Sequence, residues 1–326
     1  MLNQRSLKPT VSSHGMPLLF ALFIFALSIR IIYLFEFSQN PLFDTILAAF
    51  DQYNFDQAAI NFSNGDILAR SPSNSYAPLY KYFLGVIYWF FGRNFYVVYT
   101  IQFSMGALAS VLIYLITREL FGIRAGIIAF LGFALYSSEI IYEGIILRAA
   151  FISFWGIVSF YLLLRIQNSL SIGRLILASL SLSIFFQSRP NTMLCLPFVL
   201  VFLHKYVFRT ESLKAKIKYF SIFISTITLS FVPLLIQCYF VHKKFVFFDA
   251  NGPITFMWGN VAEYTGVGYD PTILKNYPRQ NFESYGLSIQ FLFHYILEDP
   301  LRFFNLYLRK LYYFFNDFEA PTNVSV

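Results

Sequence analysis

Near its N-terminus the chain reads Pro17-Leu-Leu-Phe-Ala-Leu-Phe-Ile-Phe-Ala-Leu-Ser-Ile-Arg30-Ile-Ile-Tyr-Leu-Phe35, an apolar run with a single charged residue. At about 1.5 Å per residue, a helix of this length crosses nearly all of the roughly 30 Å of hydrocarbon in a bilayer. No small-residue cleavage site follows the run. We therefore interpret it as a retained first span and not as a signal peptide.

The rest of the chain has the same character. Of its 326 residues, 57% are hydrophobic and only 13% are charged, and the mean hydropathy is +0.58. Such a composition excludes an ordinary soluble domain. We predict an all-α polytopic membrane protein, with about seven transmembrane helices. The predicted spans are 17–35, 95–117, 125–142, 149–164, 175–188, 192–203 and 219–241.

The charges between the spans predict their orientation. The apolar run 78–91 is too short to cross and is expected to lie in the interface. The basic residues of the tail and loops then fall on one side, which the positive-inside rule assigns to the cytoplasm. They are Arg5, Lys8, Arg118, Arg124, Arg165, Arg174, Lys205, Arg209, Lys214, Lys216 and Lys218. We predict an integral membrane protein with a cytoplasmic N-terminus.

This topology divides the chain into two parts. Residues 1–241 form a transmembrane core that includes a large first outer loop, 36–94, and residues 242–326 form a second outer segment. Within the second segment, 287–297 and the run from Arg302 to Phe315 are expected to be helices in the headgroup plane. An odd number of spans places the two termini on opposite sides.

Charge and cysteine content exclude several functions. The net charge of +7 lies largely in the turns between apolar segments, so it is better explained by topology than by nucleic-acid binding. The two cysteines, Cys195 and Cys238, lie in apolar stretches, and the four histidines show no paired spacing. No disulfide framework or metal site is predicted.

Three arginines lie within or at the ends of spans, where a charge is costly and needs a partner or a purpose. Arg30 falls late in the first span, Arg148 opens the fourth, and Arg189 lies between two short spans. All three are expected at the outer leaflet. Arginine suits phosphate because its planar fork of donors binds two oxygens at once. The alternative is snorkelling of each side chain to lipid headgroups.

Carboxylates concentrate in the first outer loop, at Asp44, Asp51, Asp56 and Asp66. In the stretch from Asp51 to Ala59, positions 51, 55 and 59 share one helical face, with Asp51 at its start. A carboxylate next to the bilayer and facing a phosphate site would suit a general base that takes a proton from a hydroxyl nucleophile. Helix capping is the alternative.

The order of several short motifs resembles a known family. In the first half these motifs are Asp51-x3-Phe55-x3-Ala59, Ala77-Pro78-Leu79-Tyr80, Phe91-Gly92-Arg93-Asn94 and Gln102. They continue with Tyr142-Glu143-Gly144, Leu147-Arg148, Ser188-Arg189-Pro190-Asn191, Gly259-Asn260 and Phe318-Glu319-Ala320-Pro321. The chain resembles the membrane-embedded GT-C glycosyltransferases, in the branch of the protein O-mannosyltransferases and aminoarabinose transferases.

The resemblance implies a function. Such enzymes move a sugar from a polyprenyl-phosphate or polyprenyl-diphosphate carrier to an acceptor on the non-cytoplasmic face, usually with inversion, and an acidic residue of the first outer loop is the base. Asp51 matches that residue. Arg148 and Arg189, with Arg30, would bind the donor phosphate. The predicted substrate cleft comprises Asp56, Glu143, Tyr76, Tyr80 and Asn260, with Trp258 and Tyr264 as further aromatics that an interfacial belt would equally explain.

The resemblance leaves other points open. No cofactor is expected, although a divalent cation near Asp51 stays an alternative. The acceptor is a lipid, a glycan or a protein. Family members commonly continue beyond the position of Glu319, so elements for the acceptor are expected to be missing from this chain, and a shortened or inactive relative stays an alternative. Two other functions compete: a transporter or flippase for a lipid-linked glycan, and a non-catalytic subunit that binds the lipid for a partner enzyme.

Overall fold

The computed structural model describes residues 15–46, 51–68, 79–242, 252–261, 271–278, 281 and 284–315. All regular structure in these residues is helical, and several helices are apolar enough to cross a membrane. The predicted class, an all-α polytopic membrane protein, is therefore confirmed. The chain forms two compact units, 1–248 and 249–326, each of which is described by itself. The functional division at residue 241 stays a prediction.

The helices of the first unit are α1 (Gly15–Phe37), α2 (Asp51–Ser63), α3 (Leu79–Phe91), α4 (Phe95–Phe121), α5 (Ile123–Ala134), α6 (Ser137–Glu143), α7 (Ala149–Asn168), α8 (Ile172–Ser188), α9 (Leu196–Phe202) and α10 (Leu213–His242). A 3₁₀ turn, Pro190–Cys195, precedes α9, and a π-helical turn, Leu203–Val207, follows it.

Five helical segments in the described part of the chain are long and apolar enough to span a bilayer: Gly15–Phe37, Phe95–Phe121, Ala149–Asn168, Pro190–Val207 and Leu213–Val241. The pair α5 and α6 supplies a sixth if it counts as one bent span. α8 is apolar but has only 17 residues. Each of the seven predicted spans thus corresponds to a helical segment. By length and composition alone, five or six of these segments qualify as membrane spans.

One predicted span has a different form. Residues 125–142 were expected as one helix, but α5 and α6 meet at an angle of 52°. A broken helix is tolerated within a membrane where neighbouring groups satisfy the freed backbone. Here Nη1 of Arg30 donates to the carbonyl of Ala134, the last residue of α5, at 3.4 Å. The same guanidinium binds Glu143 at the end of α6.

Apolar clusters of described residues pack the helices of the bundle against one another. Small residues, Ala26, Ala107 and Ala134, let α1, α4 and α5 approach closely, and this is a common way for membrane helices to associate. The second cluster joins α7, α8 and α10 through buried side chains such as Leu182, Phe186 and Phe231. Because residues 169–171 join them so tightly, α7 and α8 form an antiparallel hairpin.

Contacts between helix ends show which ends lie together. Asn168 at the end of α7 donates to Glu119 near the end of α4, so these two helices run parallel. Arginines collect at that end of the bundle, among them Arg118 and Arg165 in the last turns of α4 and α7, and Arg124 and Arg174 in the first turns of α5 and α8. We name this the basic end and the opposite one the site end. Which side of the membrane each faces stays a prediction.

The second unit contains α11 (Gly252–Trp258), α12 (Pro271–Asn276), α13 (Tyr285–Glu298) and α14 (Pro300–Phe315). Its core consists of Ile254, Met257, Val261, Leu292 and Tyr295. The predicted helices 287–297 and 302–315 correspond to α13 and α14.

Candidate active site

The segment 36–94, predicted to be the first outer loop, contains a helical hairpin made by α2 and α3. Phe55 and Ala59 are buried on one face of α2, as the spacing predicted. The ring of Phe55 meets that of Tyr80 edge-on, with centroids 5.1 Å apart. The two helices approach so closely at Gly85 that a Cβ there would lie 2.5 Å from Cδ1 of Phe62. The hairpin therefore has a defined geometry, with Asp51 at its first residue.

Asp51 is half-buried in the first turn of α2. A carboxylate at this position interacts favourably with the partial positive charge of the helix N-terminus. It lies one turn before Phe55 and so on the side of α2 that meets α3. The arrangement agrees with the predicted position of a base, but it does not test that role.

Asp56 has a different environment, although it was also predicted to line the cleft. Its side chain is 1% exposed, and both of its oxygens are bound. The hydroxyl of Tyr88 donates to Oδ1 at 2.7 Å, and Nε of Arg93 donates to Oδ1 at 2.9 Å and to Oδ2 at 3.2 Å. The hydrogen bond to Asp56 raises the pKa of Arg93. Asp56 therefore connects α2 to the end of α3 through these hydrogen bonds. Its role in the substrate cleft stays a prediction.

Tyr80 connects the hairpin to the transmembrane core. It is completely buried, which raises the pKa of its phenol well above the ordinary value. Its hydroxyl donates to Oε1 of Gln102 at 2.7 Å. The amide of Gln102 in turn donates to the carbonyls of Glu143 at 2.7 Å and Ile145 at 3.1 Å. Three motifs of the resemblance, far apart in sequence, are thus joined by direct hydrogen bonds.

Glu143 also binds Arg30 through its side chain. Nε and Nη2 of Arg30 donate to the two carboxylate oxygens at 2.6 and 3.0 Å, and both side chains are fully buried. Gly106 on α4 makes room for this pair, since a Cβ there would overlap the carboxylate. We expected Arg30 at the outer membrane surface, but the structure buries it between helices. Its predicted contact with phosphate, like the cleft role of Glu143, stays untested.

The other two arginines lie together at the site end. Arg148 immediately precedes α7 and is half-buried, whereas Arg189 immediately follows α8 and is exposed. The antiparallel α7–α8 hairpin brings these two positions to the same end. Phe151, in the first turn of α7, contacts the rings of Tyr80 at 6.1 Å and Phe83 at 5.1 Å. The α2–α3 hairpin therefore packs where α7 begins.

Lys81 is a residue that the sequence analysis did not single out. It is 1% exposed on α3, directly after Tyr80. A lysine is almost never fully buried unless it is paired, so its burial indicates a specific purpose. The sequence did contain a signal for this site, because Lys81 is the one charged residue in the apolar run Leu79–Phe91.

The remaining predicted residues lie elsewhere. Asn260 belongs to the second unit, where its Oδ1 accepts from Tyr307 at 2.9 Å and Lys310 at 3.3 Å. Trp258 donates to the carbonyl of Tyr277 at 3.0 Å. Tyr76 and Tyr264 lie outside the described residues, as does the motif at 318–321. Among the described residues, no three His, Cys, Asp or Glu side chains come together as a metal ion would need.

The first unit is a bundle of apolar helices with buried charges, and two arginines and a carboxylate-bearing hairpin lie at one of its ends. These features define a polytopic membrane protein with a candidate site for an anionic substrate. Residues 75–236, about half of the chain, match the family described as dolichyl-phosphate-mannose-protein mannosyltransferase. The chain therefore carries a glycosyltransferase domain of the GT-C superfamily, as the motifs predicted. No curated protein and no solved structure matches the chain.

The family match extends over much of the candidate site. Tyr80, Lys81, Gln102, Glu143, Arg148 and Arg189 all lie within the matched range, whereas Asp51 and Asp56 precede it. The matched residues are thus a glycosyltransferase domain of a family whose donor is a polyprenyl-phosphate sugar.

Proposed function

We propose that this protein transfers a sugar from a polyprenyl-phosphate carrier to an acceptor on the non-cytoplasmic face of the membrane, with inversion at the anomeric carbon and with Asp51 as the general base. One observation carries the proposal: the hairpin that begins with Asp51 packs against the start of α7, at the end of the bundle where Arg148 and Arg189 lie. A base and two phosphate ligands on one side are what this reaction needs.

In the proposed reaction, the acceptor hydroxyl or amine loses its proton to the carboxylate of Asp51. The freed electron pair forms a bond to the anomeric carbon. The bond from that carbon to the phosphate oxygen breaks, and its electrons leave with the lipid phosphate. The guanidinium groups of Arg148 and Arg189 stabilise the negative charge that develops on this leaving group. No redox cofactor is needed, because nothing is oxidised or reduced.

Arg30 has a different role in this proposal from that of Arg148 and Arg189. Its guanidinium already binds Glu143, whose backbone carbonyl is bound by Gln102. Glu143 lies five residues before Arg148. We therefore propose that Arg30, Glu143 and Gln102 position the turn that carries Arg148, while Arg148 itself contacts the phosphate. Lys81 is a further candidate for the phosphate, because it is a buried cation on the helix that packs against α2.

The proposed orientation, with the site facing outward, is based on the uneven distribution of basic residues between the two ends of the bundle. The basic end carries Arg118, Arg165 and Arg174, which the positive-inside rule assigns to the cytoplasm. The site end is then extracytoplasmic. A cysteine introduced at the exposed Gln39, which follows α1 at the site end, should react with a membrane-impermeant thiol reagent added outside the cell, in a background where the exposed Cys195 is replaced by serine. Labelling only after the membrane is opened would contradict this orientation.

The decisive experiment incubates purified protein with a panel of polyprenyl-phosphate sugars and acceptors and detects the released lipid phosphate by mass. Asp51→Asn should lower transfer by roughly 100-fold or more, which is a typical loss for a general base, while leaving donor binding intact. Asp44→Asn is the matched control, since Asp44 is an exposed carboxylate of the same loop. Normal transfer by Asp51→Asn would remove Asp51 from the mechanism. Donor movement across vesicles without transfer would favour a flippase.

A further inference from the structure

The last described helix, α14, presents an unusual face to its surroundings. Six large apolar side chains, Leu301, Phe304, Leu308, Leu311, Tyr312 and Phe315, are between 48% and 77% exposed. At 100° per residue they fall within one continuous stripe along the helix. The only buried residue of α14 is Leu306. The helix therefore exposes a broad apolar surface over its whole length.

The opposite side of α14 attaches it to its own unit. Leu306 is 1% exposed. Tyr307 and Lys310 donate hydrogen bonds to Asn260, which lies just after α11. The guanidinium of Arg302 lies 5.0 Å from the ring centroid of Tyr295 on α13. These contacts fix the rotation of α14 about its axis, so the apolar stripe faces away from the core of the unit.

A groove runs along one edge of the apolar stripe. It has a volume of about 400 Å³ and is lined by Asp299, Leu301, Arg302, Asn305, Leu306 and Arg309. Arg302, Asn305 and Arg309 lie one turn apart along the same edge. The Oδ1 of Asp299 accepts a hydrogen bond from the backbone of Arg302 at 3.0 Å and so caps the helix. Two arginines and one aspartate are the charged residues among those that line the groove.

An apolar surface bordered by cations is complementary to a lipid with an anionic headgroup. A soluble partner would have to match six exposed apolar side chains, whereas this chain already resides in a bilayer through its first unit. Basic residues beside the apolar face of an amphipathic helix favour anionic lipids.

We propose that α14 lies in the membrane interface with its apolar stripe against the acyl chains, and that the groove beside Arg302 and Arg309 binds the phosphodiester of an anionic phospholipid. The groove is built entirely from residues of the second unit. It would make the second unit a lipid-anchored element of the enzyme.

The lipid site is tested with the full chain in nanodiscs of phosphatidylcholine containing phosphatidylglycerol. Native mass spectrometry after release from the nanodisc should find one more phosphatidylglycerol on the wild-type protein than on the double variant Arg302→Gln/Arg309→Gln. Lys310→Gln is the matched control, because it removes a charge from the side of α14 that faces its own unit. Equal retention by wild type and double variant would overturn the proposal, as would displacement of the lipid by a stoichiometric amount of polyprenyl-phosphate sugar, which would assign the groove to the donor.

The apolar stripe is tested by spin labels on cysteines introduced at Leu308 and Leu311, in a background where the exposed Cys195 is replaced by serine. Both labels should be more accessible to oxygen than to a water-soluble nickel reagent, and a label at Lys310 should not. Dipolar broadening between labels of two protein copies would show that a second copy covers the stripe. Higher accessibility to nickel than to oxygen would show that water covers it. Either result would contradict the proposal.

Discussion

The carboxylate of Glu143 binds two nitrogens of Arg30, at 2.6 and 3.0 Å, across 113 residues of sequence and with neither side chain exposed. Because the two charges are removed from water, each depends on the other. The pair joins α1 to the end of α6 and, through the carbonyls that Gln102 binds, to the turn before α7.

Removing one member of this pair should be more harmful than removing both. We expect Glu143→Gln to lower the free energy of unfolding by about 3–5 kcal/mol, since it leaves a buried guanidinium without its counter-charge. The double variant Arg30→Met/Glu143→Met should lose less free energy of unfolding than Glu143→Gln, because no buried charge is left without a partner. Unfolding in mixed SDS micelles measures both. An equal loss in the single and double variants would show that the two charges are not coupled.

Gly106 should resist even the smallest substitution. A methyl group there overlaps the carboxylate of Glu143, which cannot move away because Arg30 holds both of its oxygens. We expect Gly106→Ala to destabilise the protein by about 1–3 kcal/mol, as overpacking usually does. Gly132→Ala is the matched control, since nothing lies within 4 Å of the added methyl. Similar unfolding curves for the two variants would contradict the close packing.

The bond between Asp56 and Arg93 should control the stability of the α2–α3 hairpin rather than the chemistry. We expect Asp56→Asn to weaken the contacts with Tyr88 and Arg93 and to make residues 36–94 more sensitive to limited proteolysis. Asp44→Asn provides the control. Transfer by Asp56→Asn should fall less than transfer by Asp51→Asn. If transfer falls more in Asp56→Asn than in Asp51→Asn, Asp56 is the better candidate for the base and Asp51 for the structural role.

Arg189 should contribute to donor affinity. A hydrogen bond from a charged group contributes about 1.5–3 kcal/mol, so Arg189→Ala should raise the donor KM by roughly 10- to 100-fold. Arg174→Ala, at the opposite end of the same helix, should leave the donor KM unchanged. Unchanged donor affinity in Arg189→Ala would favour the alternative in which Arg189 only snorkels to lipid headgroups.

The apolar runs predicted most of the helices, because run length and composition depend on local sequence alone. The apolar run at α3 forms a helix of 13 residues, and its position in the interface stays a prediction. The bend between α5 and α6 could not be predicted in this way. It depends on Arg30, a residue of another helix that binds the freed carbonyl of Ala134.

The site was only partly predictable. The spacing of Asp51, Phe55 and Ala59 indicated the buried face of α2, and the resemblance named Gln102 and Glu143. Sequence could not show that Asp56 is bound on both oxygens, because its partners Tyr88 and Arg93 lie 32 and 37 residues away. Lys81 was missed because the apolar run around it was interpreted only by its length.

The shortness of α8 has a consequence for the surrounding lipid. Its 17 residues rise about 26 Å, less than the roughly 30 Å of a typical hydrocarbon core. If α8 crosses the bilayer, the membrane must thin locally or Arg189 must reach upward to the headgroups. Thinning would lower the lipid surface towards Arg189 and bring a carrier phosphate to it without lifting the carrier out of the membrane. Bilayer thickness would then become a determinant of the transfer rate.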